Sequence, residues 1–117
     1  MNLFDRLIGF FSSRQRAVLL YKRGIRNAKK HHHQAAIEHY STVIAMSNPP
    51  AKLRAMSLYN RALVFAAMDE SKKAILDLQA VLALPGAPAD VKTEATRKLV
   101  RIQQRADRHQ PQATCDG

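Results

Sequence analysis

The chain has 117 residues, of which 46% are hydrophobic and none is Trp, a length that suits one hydrophobic core and leaves no room for a second. Nineteen Lys and Arg against nine Asp and Glu give a formal net charge of +10, with no acid between Asp5 and Glu38; such a field draws anionic partners without choosing among acidic peptides, nucleic acid and anionic membrane surfaces. The single cysteine, Cys115, excludes an intrachain disulfide or a cysteine-based zinc site, and no apolar run approaches the roughly 20 residues of a membrane-spanning helix.

Residues 1–13 read as a short amphipathic helix, with Leu3, Phe4, Leu7, Ile8 and Phe11 on one stripe. Three readings stand for it: an extra helix packed on the domain, a membrane-surface anchor helped by the basic residues that follow, or a segment that enters a groove of its own or a neighbouring chain, which would allow a homo-oligomer. Residues 14–30 form the next predicted helix, through Ala17, Leu20, Tyr21, Gly24, Ile25 and Ala28, and the run His31-His32-His33 ends it. A further helix carries Ala35, Ala36, Ile37, Tyr40, Val43 and Ile44 and stops at Ser47-Asn48-Pro49-Pro50, because proline lacks the amide that helix continuation needs.

The cycle then restarts. Ala51 to Met68 is predicted helical, Asp69-Glu70-Ser71 turns the chain, Ser71 to Leu84 forms the partner helix, and Pro85-Gly86-Ala87-Pro88 closes it. A last helix from Asp90 to about Arg108 places Val91, Ala95, Leu99, Ile102 and Ala106 on one stripe and is otherwise charged, as suits the end of a stack. Residues 109–117 read as a disordered tail.

The two hairpins superpose at an offset of 38 residues, which sets Leu20 on Leu58, Tyr21 on Tyr59, Arg23 on Arg61, Gly24 on Ala62, Ala36 on Ala74 and Val43 on Val81. Small residues recur along with large ones, so Ala36 and Ala74, taken as lying opposite Gly24 and Ala62, are expected to be buried where paired helices approach closely. The fold class expected is all-α, a stack of about two helical hairpins in 14–108 with a C-terminal capping helix and a short N-terminal helix.

Leu20, Gly24, Ala36 and Tyr40 in the first hairpin, with Leu58, Ala62, Phe65 and Ala74 in the second, resemble the tetratricopeptide-repeat pattern. Arg23 and Asn27 depart from it, and the 38-residue spacing exceeds the family length by about four residues. The excess falls to a longer connection at Asn48 to Lys52 or to an extended helix start at Ala51. The resemblance implies a right-handed stack with a concave groove lined by the first helix of each hairpin, which binds an extended or helical peptide. Carried onto this chain, the partner-binding residues are Tyr21, Ile25, Lys29, Met56, Tyr59, Asn60 and Leu63. It also implies that Asn60 holds the place of an asparagine that clamps peptide carboxylates in some relatives, while Tyr21 and Ile25 replace the other clamp residues. The function expected is therefore a cytoplasmic protein–protein adaptor that favours acidic protein or peptide partners. The alternative is a peripheral membrane or nucleic-acid adaptor acting through basic surfaces such as Arg97, Arg101 and Arg105, spaced to share one helix face.

No enzyme, cofactor or metal site is expected. The acids are scattered, the four glycines form no phosphate loop, and no Ser or Cys stands in a nucleophile motif. His31 to His33 are adjacent, so their side chains diverge around a turn instead of enclosing one ion.

Overall fold

A computed structural model describes residues 12–109, which form five helices: α1 (Ser13–Lys29), α2 (His33–Ala45), α3 (Ala51–Ala67), α4 (Ser71–Ala83) and α5 (Ala89–His109). The protein is all-α, with α1–α2 and α3–α4 as antiparallel hairpins stacked on each other and α5 packed on the end. The N-terminal stripe from Leu3 to Phe11 and residues 110–117 of the C-terminal tail lie outside the described residues, while His109, assigned from sequence to the tail, is the last residue of α5. Ser12 and Ser13, assigned from sequence to the N-terminal segment, instead begin α1. The Ser12 hydroxyl accepts from the Gln15 amide at 3.1 Å while the Gln15 side-chain oxygen accepts from the Ser12 amide at 3.1 Å, a reciprocal arrangement that satisfies two otherwise orphaned donors.

The 38-residue offset holds throughout the backbone. First helices are 17 residues long and second helices 13, with turns of three residues at 30–32 and 68–70 and connections of five at 46–50 and 84–88. The turns repeat in detail: His31 and Asp69 both take the left-handed conformation, with φ of 60° and 62°. The amides after them bond back to equivalent carbonyls, His32 to Asn27 at 2.9 Å and Glu70 to Phe65 at 2.8 Å. The offset extends one step further, since α5 begins at Ala89, 38 residues after Ala51. α5 is thus the first helix of a third unit.

Its faces fit that assignment. Ala95 and Ile102 are buried at the places of Ser57 and Val64, which α3 turns toward the preceding hairpin. Thr93, Thr96 and Val100, at the places of buried Ala55, Leu58 and Ala62, are exposed. The face that would receive a second helix therefore carries two hydroxyls, which is what lets α5 end the stack in water.

Two core clusters run through the stack. One joins Ala17, Tyr21, Ala36, Tyr40, Val43 and Val64, and the other Leu58, Ala62, Ala74, Leu78, Val81, Ala95 and Ile102; α3 contributes to both, which makes the hairpins a single body. Ala36 and Ala74 are fully buried. The side chain that meets Gly24, however, is Tyr40: a Cβ added to Gly24 would lie 2.5 Å from a Tyr40 ring carbon. Ala36 makes room for the α1–α2 contact, and Gly24 makes room for the ring.

Second helices do not touch one another, whereas α1 touches α3 and α3 touches α5. The stack therefore curves toward its first helices, and their exposed faces line its concave side.

Candidate functional site

Of the seven residues expected in the groove, Met56, Tyr59 and Asn60 come together on α3. They line a cleft of about 620 Å³ closed on its far side by Asp90, Val91, Thr93, Glu94 and Arg97 of α5. Asn60 also borders a smaller cleft of about 230 Å³, which it shares with Leu63, Ala67, Ala28, the turn residue His31 and His33 at the start of α2. The α3 face is thus a continuous strip with Asn60 at its middle.

Tyr59 is partly buried there, and three effects act on its hydroxyl. Burial pushes its pKa up, the nearby Glu94 carboxylate raises it further, and the Arg101 guanidinium pulls it down. Both Glu94 and Arg101 therefore lie within electrostatic reach of the ring, on the same side of α5. Glu94 is itself paired with Arg97 at 2.8 Å, and both members of that pair are exposed.

The three α1 residues sit differently. Tyr21 is only 9% exposed and belongs to the first core cluster, its ring 6.1 Å from that of Tyr40, so it offers little surface to a partner. Its hydroxyl accepts a hydrogen bond from the Asn60 amide nitrogen at 2.9 Å, and the same nitrogen donates to the Met56 carbonyl at 2.9 Å. Tyr21 therefore positions Asn60 and spends that amide's donors within the fold, leaving none for a carboxylate clamp. Ile25 packs against the same core. Lys29 is exposed in the last turn of α1 and lines neither cleft.

Comparison with protein-family models, with curated proteins and with solved structures finds no match. The site is accordingly read from its own geometry. Sequence reasoning missed the α5 wall of the larger cleft, although the signal was present: carrying the 38-residue offset past Ala51 puts Glu94 at the place of Met56 and Arg97 at that of Tyr59. Among the described residues, no group of His, Cys, Asp and Glu is disposed to hold a metal ion, and no helix is long and apolar enough to cross a membrane.

Away from the groove, Arg61 makes a two-pronged ion pair with Asp77 of α4, at 2.8 and 2.7 Å, and donates to the Ser41 hydroxyl of α2 at 2.9 Å. It clamps three helices. Its guanidinium and the Lys73 ammonium each stand 5.7 Å from the Phe65 ring centroid.

Proposed function

We propose that the protein is a tetratricopeptide-repeat-like adaptor that binds a peptide or partner helix in the concave groove of its first helices and favours acidic partners. One observation carries this reading: Met56 and Tyr59 form an apolar floor open to a 620 Å³ cleft whose other wall bears Arg97 beside Asp90 and Glu94. A partly buried tyrosine presents rigid amphipathic area at small entropic cost, the kind of residue that dominates protein interfaces. Leu63 extends the floor, while Lys29 at the α1 end and Arg101 beside Tyr59 steer acidic partners toward it. No catalytic role is assigned to any residue.

A second reading, phosphate recognition on a nucleic acid or a membrane surface, draws on the same basic residues. Salt separates the two, because binding carried by phosphate contacts weakens steeply as salt rises while apolar docking persists.

The test is capture of a partner by the full chain and by three variants. Tyr59→Ala is expected to raise Kd about tenfold or more. Lys29→Glu should mainly slow association and flatten its salt dependence. Lys73→Glu, on α4 beside Phe65, should leave Kd unchanged; a loss there equal to that of Tyr59→Ala would place the partner on another face.

A further inference from the structure

The inner face of α5 carries a row of three arginines, two of which pair with no acid among the described residues. Arg97, Arg101 and Arg105 are exposed and recur every four residues, so they rise about 6 Å per step along one stripe. By the 38-residue offset they hold the places of Tyr59, Leu63 and Ala67 on α3. Arg97 lines the larger cleft directly and Arg101 acts on Tyr59. Among the described residues Arg97 has the exposed partner Glu94, while Arg101 and Arg105 pair with no acid.

The row runs beside the apolar strip of Met56, Tyr59 and Leu63, itself at helical spacing. Groove and wall are thus two stripes, one apolar and one that begins with Asp90 and Glu94 and turns cationic from Arg97 onward. α1 and α5 both touch α3 and not each other; with packed axes about 8–10 Å apart, the axes of α1 and α5 stand up to roughly 20 Å apart, so a further helix can pack on top of α3 at the same spacing, with α1 and α5 flanking it. An extended peptide would need partners for its own amides and carbonyls, and the amide hydrogens of Asn60, central in the strip, already go to Tyr21 and Met56. A helix satisfies its backbone internally and asks the groove only for side-chain contacts.

We infer that the occupant of the groove is an amphipathic α-helix lying along α3, its apolar stripe on Tyr59 and Leu63 and its acidic residues, spaced every four positions, facing Arg101 and Arg105. This rests on the groove being the binding face, and the experiment separates the two claims. Fluorescence anisotropy with the full chain compares four probes: a synthetic helix with Glu at every fourth position beside a Leu stripe, the same composition shuffled, the patterned peptide broken by a central proline, and a single-stranded RNA oligonucleotide.

The patterned helix is expected to bind at least about tenfold more tightly than the shuffled or broken peptide. Arg101→Glu with Arg105→Glu should lose that binding and regain it with a peptide carrying Lys in place of Glu, a rescue that misfolding cannot produce. Equal binding of the shuffled or broken peptide, with Tyr59→Ala still damaging, overturns the helix and spares the groove. Failure of the patterned helix to bind also overturns it. So does RNA that binds through Arg101 and Arg105 and displaces the peptide. Binding of the patterned helix that ignores Tyr59→Ala removes the groove reading itself.

Discussion

The two hairpins share one backbone and solve the same packing problem in opposite ways. In the first, Gly24 faces Tyr40, a large ring that is only 1% exposed. In the second, the same two places hold Ala62 and Leu78, both fully buried. Volume has moved from one helix to the other, as close packing at a fixed helix separation demands. The polar contacts diverge too. Arg61 clamps Asp77 and Ser41, whereas its counterpart Arg23 is exposed, and His39 stands at the place of Asp77. Two causes act: His39 offers no carboxylate at the place of Asp77, and Arg61 has a preceding hairpin whose Ser41 it reaches, while among the described residues Arg23 has none. Leu19 shows the same asymmetry, being 51% exposed at the place where Ser57 and Ala95 are buried.

The comparison is tested most strongly at the arginines. Arg61→Ala leaves the Asp77 carboxylate buried without its partner, so it should lower stability by about 3 kcal/mol, whereas Arg23→Ala should change it by less than about 0.5 kcal/mol. Equal shifts in denaturant midpoint would show that the clamp does not distinguish the hairpins.

Next comes the exchange of volume. Gly24→Ala gains up to about 1 kcal/mol of helix propensity, but the new methyl meets three Tyr40 ring carbons within 2.9 Å, and a ring pinned in the core cannot yield. The net loss should be about 1–3 kcal/mol. Adding Tyr40→Leu, which copies the second hairpin, should recover part of it, with a coupling of at least about 0.5 kcal/mol in a double-mutant cycle. Strict additivity would break the proposed compensation.

A smaller effect concerns alkaline pH, where burial, with some help from Tyr21, pushes the Tyr40 pKa from 10.0 up to about 12. The folded state holds the phenol proton more tightly than the unfolded state, so this stabilisation is complete below pH 10.0 and is lost as pH rises through about 12. Leu78 stands at the equivalent place, so this tyrosine's contribution belongs to the first hairpin. Stability curves against pH for the native chain and Tyr40→Leu should diverge in that window, and parallel curves would assign the alkaline loss elsewhere.

All five described helices were legible in the residues, to within two positions at nearly every end, because their stops are local. Pro49-Pro50 and Pro85 bar second helices from continuing by removing amides, Gly86 takes a positive φ, and His31 and Asp69 accept the left-handed turn that closes each hairpin. The repeat was legible for a related reason: a stack reuses one inter-helix geometry, so small residues must recur where it is tight. The groove was half legible. Spacing places Tyr21 and Tyr59 on equivalent points of equivalent helices, yet one is core and the other only partly buried beside a cleft.

By itself the sequence determined the helices, their 38-residue period and the excess of positive charge, since each depends on residue type and on neighbours a few positions away. Only the tertiary structure decided that Tyr21 supports Asn60 while Tyr59 stays open, that Arg61 is a clamp and Arg23 is not, and that Arg97 of α5 borders the groove. Each of these depends on which helix lies against which face. Burial and charge pairing are properties of that contact, and an offset along the chain records the place without recording the neighbour.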